Sequence, residues 1–314
     1  MDGTNFSRRH LLALVPAGIA AGVLLVGCKQ EEDGTAAPAP TPEAAADALA
    51  ALEKSAGGRL GVALLDSATG RTSGHRMGER FAMCSTFKWP LSAVVLHAVE
   101  QGKLTLDQRI SYGKTDLLNH SPVTEHNVAR GSMTAAELME ATITTSDNAA
   151  ANLLLPLIGG PEGMTRQLRA WGDEVTRLDR MEPDMNMVAE GEERDTTTPA
   201  AMAALLRTML FGDALTPASR TRLIDWGVAT VTGDKRLRAG LPAGWRTGNK
   251  TGTGMAPGMM SKYNDIAVAF PPGKAPVLIT AYYESPVTSD KIRDEDQAVL
   301  ATVGRIAAEW VKAG

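Results

Sequence analysis

Cysteine, histidine and aromatic side chains are scarce in this chain. Its 314 residues include 2 Cys, 5 His and an aromatic fraction of 4%. Cys28, Cys84 and the scattered histidines show no metal-ligand spacing, so no zinc site is expected, and no motif asks for another cofactor. A surplus of positive charge is also missing. Lys+Arg number 32 against 36 Asp+Glu, a formal net charge of -4. Setting aside a leader that holds Asp2, Arg8 and Arg9 leaves 30 basic against 35 acidic side chains, or -5. The concentrated basic face that nucleic acid requires is therefore absent. Nor is there a long apolar run: the uncharged stretch from Leu11 to Val26 has sixteen residues. A helix that spans a bilayer needs about 20.

What is there begins with that leader. Ser7-Arg8-Arg9-His10 followed by a short apolar region has the form of a secretion signal, and the paired arginines resemble the twin-arginine type. The closing Leu25-Val26-Gly27-Cys28 looks like a bacterial lipobox, in which Cys28 is lipidated and becomes the mature N-terminus. The expected organisation is a signal peptide over 1–27, a Pro-rich acidic tether over 28–42 and a catalytic domain over 43–314. Several acyl chains would hold the protein firmly to a bacterial membrane, at the periplasm or cell envelope. With Cys28 so used, Cys84 has no partner and is expected as a free, buried thiol.

The domain is organised around Cys84-Ser85-Thr86-Phe87-Lys88. Ser85 and Lys88 open an apolar, helix-periodic run, and a three-residue spacing sets hydroxyl and amine on one face of a turn. That suits a nucleophile beside its base. Alone the pattern is weak, since about one S-x-x-K arises by chance in a chain of this length. Pro90, so near the start, is tolerable only in the first turn or so.

Strand signals lie at both ends: Arg59 to Asp66, Arg71 to His75, Trp245 to Gly254, Tyr263 to Phe270 and Val277 to Glu284. Helical patterns cover Glu43 to Ser55, the middle of the chain, and Asp290 to Lys312, where Val299, Val303, Ile306 and Trp310 share a stripe. The fold class expected is α/β (α+β): an antiparallel five-stranded sheet flanked by terminal helices (43–80 and 239–314), with an inserted all-helical part over 81–238. Their interface is a natural cleft.

Three further stretches carry polar groups that could face such a cleft. Ser146-Asp147-Asn148 opens an alanine-rich helix; as a plain cap it needs no function, but a hydroxyl and an amide there can relay a proton and hold a substrate amide. Lys250-Thr251-Gly252-Thr253-Gly254 reads as a strand with Lys250 on one face and both threonines on the other, its glycines permitting close approach of a ligand. In Asp179 to Pro199, Arg180 and Asp195 can pair and clip a polar loop shut, enclosing Glu182 and Asn186.

The order S-x-x-K, S-D-N, E-x-x-x-N, K-T-G resembles the class A serine β-lactamases over nearly the whole mature chain. R-L-G-V-A-L-L-D, S-P-V-T and N-D-I-A-V are also similar to that family. The resemblance implies hydrolysis of the amide of β-lactam antibiotics through a serine acyl-enzyme, by a monomer. It implies Ser85 as nucleophile and Lys88 or Glu182 as its base. The N–H groups of Ser85 and Thr253 would form the oxyanion hole, and Ser146 would be proton donor to the leaving nitrogen. Asn148 would hold the substrate amide, and Lys250, Thr251 and Thr253 would meet the substrate carboxylate. Glu182 and Asn186 would position the hydrolytic water, with a cis Glu182-Pro183 bond. Where many relatives keep an arginine this chain has Tyr263, which makes Arg236 the expected replacement. His120 is expected at the rim, where substrate preference is set. Gly254 stands where some relatives place a second cysteine, so no disulfide is expected at Cys84. Two other readings remain: a penicillin-binding transpeptidase or carboxypeptidase, and a sensor domain that stays acylated. Glu182 with Asn186 argues against the first, and the lack of a membrane helix and signalling domain argues against the second.

Overall fold

The run R-L-G-V-A-L-L-D becomes strand β1 (Arg59–Asp66), and its alternation decides what lies on either side. Leu60, Val62 and Leu64 enter one core while Ala63 and Leu65 enter another. A strand covered on both faces reads as an almost unbroken apolar run, because neither parity of residue meets water. Each fully buried aliphatic side chain contributes about 1.5–3 kcal/mol. These coordinates are a computed structural model describing residues 42–256 and 258–314. Arg8, Arg9 and Cys28, with the expectations placed on them, lie outside those residues.

β2 (Thr72–His75), β3 (Arg246–Gly254), β4 (Lys262–Phe270) and β5 (Val277–Glu284) complete an antiparallel sheet of order β2-β1-β5-β4-β3. This is the five-stranded sheet expected, assembled from both ends of the domain. Its register pairs Leu60 with Tyr283, Ile266 with Thr280 and Lys250 with Ile266. Two short ladders, Phe81–Ala82 with Thr196–Thr197 and Arg109–Ser111 with Ser132–Thr134, stand apart from it.

Helices α1 (Pro42–Ala56) and, at the end of the chain, Asp294–Ala313 cover one face through Leu49, Val303 and Trp310. The other face meets the helical part: α2 (Lys88–Glu100), α3 (Ala135–Thr144), α4 (Asn148–Leu154), α5 (Gly160–Ala170), α6 (Pro199–Phe211) and α7 (Pro217–Val228). The final helix, α8 (Asp294–Ala313), begins later than Asp290. Preceding backbone donors are taken by side chains instead: Ser289 N–H donates to Ser261 Oγ at 2.9 Å and Arg293 N–H to Tyr263 Oη at 3.1 Å. Asp294, Glu295 and Asp296 then supply the negative first turn that a helix N-terminus favours. Trp245 is excluded from β3 because its N–H closes a turn onto Pro242 O at 2.9 Å. Among the described residues no helix is long and apolar enough to cross a membrane.

Candidate active site

Ser85 does not open an α-helix. It lies on a 3-10 turn over Cys84–Phe87, entered through Cys84 at φ 45°, and α2 starts only at Lys88. Three residues per turn still stack positions i and i+3, so the spacing works through tighter geometry than expected. Positive φ at a non-glycine residue is strain held by its surroundings. Here Asn264 Nδ2 donates to Ala82 O at 2.8 Å and to Met83 O at 3.0 Å, fixing the chain just before the turn. Pro90 falls in the first turn of α2, where it removes no helical hydrogen bond.

β3 presses against this turn. A Cβ on Gly252 would stand 2.7 Å from Met83 O, and one on Gly254 would stand 2.9 Å from Cys84 Sγ. At Gly252 the neighbour is backbone, so a side chain there would force the two segments apart. Cys84 is free and buried, and burial pushes its thiol up to about 12.

Ser85, Lys88, Ser146 and Glu182 converge in this seam. Lys88 Nζ donates to Ser85 Oγ at 3.0 Å and lies 3.1 Å from Glu182 Oε1, while Ser85 Oγ donates to Glu182 Oε1 at 3.2 Å. Lys88 Nζ also donates to Ser146 O at 2.8 Å and to Asn148 Oδ1. Burial lowers Lys88 from the ordinary lysine range, against the pull of Glu182. Burial would raise Glu182, but the Lys88 ammonium, with Asn186 and Ser85 as donors, holds it below the usual carboxylate range. Glu182 is therefore an ionised acceptor at neutral pH, 3.2 Å from the serine hydroxyl.

Ser146 holds φ 63°, and its Oγ accepts from Lys250 Nζ at 2.9 Å and from Lys88 Nζ at 3.4 Å. With both ammonium groups donating to its oxygen, its own proton is free for another acceptor. The helix cap in this motif is Asp147, whose Oδ1 takes the Ala150 N–H at 2.9 Å. Asn148 is the first residue of α4, and its Nδ2 donates to Asn119 O at 2.8 Å.

The loop is clipped as expected: Arg180 Nε donates to Asp195 Oδ2 at 2.5 Å, and Asp195 Oδ1 takes the Asp179 and Arg180 N–H groups at 2.7 and 3.0 Å. Inside it, Asn186 Nδ2 donates to Glu182 Oε2 at 2.6 Å, while its buried Oδ1 has no protein partner among the described residues. The Glu182-Pro183 bond is cis.

Lys250 and the threonines part to opposite faces. Thr251 Oγ1 meets Thr232 Oγ1 at 2.9 Å, and Thr253 Oγ1 accepts from Arg236 Nη2 at 2.6 Å. Arg236, buried and 5.5 Å from the Tyr263 ring, also donates to Gly252 O and Asn264 O, each at 2.8 Å. It thus reaches β3 from the helical side, above Tyr263. His120 does not join the cluster through its side chain. Its ring bonds Thr145 O at 2.9 Å, and its backbone carbonyl takes the Asn148 N–H at 3.0 Å.

Two contributors escaped the sequence reading. Asn152 brackets the acid, its Nδ2 donating to Glu182 O at 2.8 Å and its Oδ1 accepting the Glu182 N–H at 3.0 Å. Its position four residues after Asn148, on the same helix face, was the available signal. Asp147 Oδ2 takes the N–H groups of Val123 and Thr124, each at 2.9 Å, and so holds the Ser121 to Thr124 segment against the cleft.

A serine between an ammonium and a carboxylate, with a second buried ammonium across a cleft, defines a serine hydrolase that works through acyl transfer. The family model described as the β-lactamase enzyme family matches residues 44–311. β-Lactamase L2 of Stenotrophomonas maltophilia is 47% identical over 304 residues, covering 96% of this chain and 98% of its own. The carbapenem-hydrolysing β-lactamase KPC of Klebsiella oxytoca is 42% identical, covering 84% and 88%. A solved class A β-lactamase of the last common ancestor of Gram-negative bacteria superposes with TM-score 0.79 at 59% identity, over 84% of this chain and 97% of that one. A β-lactamase from Xanthomonas campestris gives 0.80 at 50% identity, over 86% and 98%. The chain belongs to the class A serine β-lactamases, and its activity is hydrolysis of β-lactam antibiotics, which confers resistance.

Proposed function

We propose that Ser85 is the nucleophile, with Lys88, Ser146 and Glu182 moving protons around it. The observation that carries this reading is the Ser85 hydroxyl held 3.0 Å from Lys88 Nζ and 3.2 Å from Glu182 Oε1. In acylation the Ser85 O–H bond breaks, its proton passes to the Lys88/Glu182 pair, and Oγ bonds the lactam carbon. N–H groups of Ser85 and Thr253 receive the oxyanion, each donor worth about 3 kcal/mol. As the C–N bond breaks, Ser146 gives its proton to the nitrogen and is resupplied from Lys88 or Lys250. A water held by Glu182 and Asn186 then attacks the ester, its proton going to Glu182, and Ser85 leaves reprotonated. Lys250, Thr251, Thr253 and Arg236 receive the substrate carboxylate, Asn148 the side-chain amide, and His120 borders the entrance. A transpeptidase has no use for the Glu182-Asn186 pair, which supports hydrolysis.

We further propose that 1–27 is an export signal, 28–42 a tether and 43–314 the catalytic domain, acting as a monomer. A lipidated Cys28 holds it at the bacterial membrane, facing the periplasm or cell envelope; the L-V-G-C closing the apolar leader supports this.

Purified full chain given a chromogenic cephalosporin tests the site. Ser85→Ala should lower turnover by at least about 1,000-fold with no covalent adduct, following the logic of a removed nucleophile. Residual turnover near the native rate would contradict it. Intact mass of the native protein against Cys28→Ala, which should lose acyl chains, tests the anchor; an unmodified native mass would contradict it.

A further inference from the structure

Asp265 is a fully buried carboxylate on β4 with no cation within ion-pair distance among the described residues. Its Oδ1 accepts from Asn249 Nδ2 at 2.9 Å, and its Oδ2 accepts the Leu237 N–H at 3.2 Å. Asn249 directly precedes Lys250, and Leu237 directly follows Arg236. One carboxylate therefore ties together the two segments that carry those cations, from the sheet face opposite Lys250.

We propose that Asp265 is a positioning residue for substrate binding, fixing Lys250 and Arg236 and serving as their permanent countercharge. The inference rests on the reading that these two cations receive the substrate carboxylate. Burying a carboxylate without a paired cation is costly, and a fold keeps such a group where its field is needed. Lys250 is wholly buried, and burial with the neighbouring Lys88 ammonium pushes it well below the ordinary lysine range; Asp265 and Glu182 oppose that. Arg236 is likewise lowered by burial, with Asp265 the first group to oppose it. Burial pushes Asp265 itself up to about 6, which leaves it ionised at neutral pH. The charged groups around this arrangement are Lys88 from α2, Glu182 from the clipped loop, Lys250 from β3 and Arg236. Arg238 joins through its Nη2 donation to Asn249 Oδ1 at 2.7 Å. Tyr263 and the Cys84 thiol are neutral neighbours of Arg236.

Without the Asp265 charge, the Lys250 ammonium loses its proton more readily and binds an anion less well. Asp265→Asn keeps the shape and an acceptor for Leu237 N–H. For a β-lactam and its methyl ester, the native enzyme should prefer the acid in kcat/KM. In the variant that preference should fall roughly tenfold or more, through KM, with kcat little changed. The alkaline limb of the kcat/KM profile should also move down by roughly one pH unit. The reciprocal variant N249D/D265N returns the charge to the same hydrogen-bonded pair and should restore the acid preference and the limb. A purely structural role would lower the melting temperature without moving either quantity. Native acid preference in folded Asp265→Asn, or a double variant as impaired as the single, would overturn the proposal. If Asp265→Asn does not fold, the double variant decides: a native acid preference supports the proposal and a lost one overturns it. A native enzyme indifferent to esterification would instead refute the carboxylate site itself.

Discussion

The sheet has two edges, and they are finished in opposite ways. At β2 the edge strand is short, Thr72–His75, and beside it stands a partly buried charge cluster. Arg76 Nε and His75 Nε2 meet Glu53 at 2.7 and 3.0 Å, while Arg76 Nη1 meets Glu79 at 2.8 Å. A short, charged edge discourages pairing with another chain. At β3 the edge is nine residues long, rich in Gly and Thr, and packed against the turn that carries Ser85. Lys88, Glu182, Lys250, Arg236 and Asp265 are all buried beside it. Charges at β2 reach water on one side and are directly paired. Those at β3 are dry and share partners, an arrangement that costs stability and gives strong fields where we propose the bond is made and broken.

Three substitutions probe this contrast. The largest effect is expected from Arg236→Ala at the β3 edge. Removing a desolvated partner of a bound carboxylate should cost about 2 to 5 kcal/mol in kcat/KM. The check is steady-state kinetics beside a thermal melt, and unchanged kinetics would move the carboxylate site elsewhere. Next comes Gly252→Ala, whose new methyl would meet Met83 O at 2.7 Å. That carbonyl belongs to the backbone ahead of Ser85, so the edge must shift. Overpacking should destabilise by about 1–3 kcal/mol, read by denaturant unfolding, and turnover should fall with it. Wild-type stability and rate would mean that β3 and the turn are less closely coupled than drawn.

The smallest effect on turnover is at β2. Burial acts to raise Glu53, but donors led by Arg76 outweigh it and hold its carboxyl at about 2, against 4.5 ordinarily. A depressed carboxylate lends stability that is present above the unfolded value and lost as pH falls through the folded one. Glu53→Gln should therefore cost about 1–3 kcal/mol at pH 7, leave turnover unchanged and flatten the loss of stability between 4.5 and 2. Acid melts of the two proteins compare these directly; a change in turnover would break the division of labour between the edges.

The sequence carried some of this plainly. Ser85-x-x-Lys88, Lys250-Thr251-Gly252 and the Arg180 to Asp195 clip are local patterns, and the strand-length runs at both ends of the domain marked the strands of the sheet. The left-handed residues Cys84 and Ser146 were not legible, because neither is a type that prefers positive φ and only contacts made far along the chain hold them there. Asn152 and Asp265 escaped for a related reason. Each acts on a group distant in sequence, Glu182 for one and the Asn249 and Leu237 backbone segments for the other. The late start of α8 depended on Ser261 and Tyr263 capturing donors from the next connection.

We propose that the dry cluster divides the reaction, with Glu182 indispensable for releasing the acyl group. Glu182→Gln removes the anion that keeps Lys88 charged, and burial then favours a neutral Lys88 amine able to take the Ser85 proton. Acylation should survive. Deacylation should not, since general-base assistance to water is worth roughly 100- to 10,000-fold. Intact mass of this variant, followed over time after mixing with a penicillin, measures both steps at once. One acyl equivalent should form on Ser85 and persist; turnover at the native rate, or no adduct at all, would contradict this division.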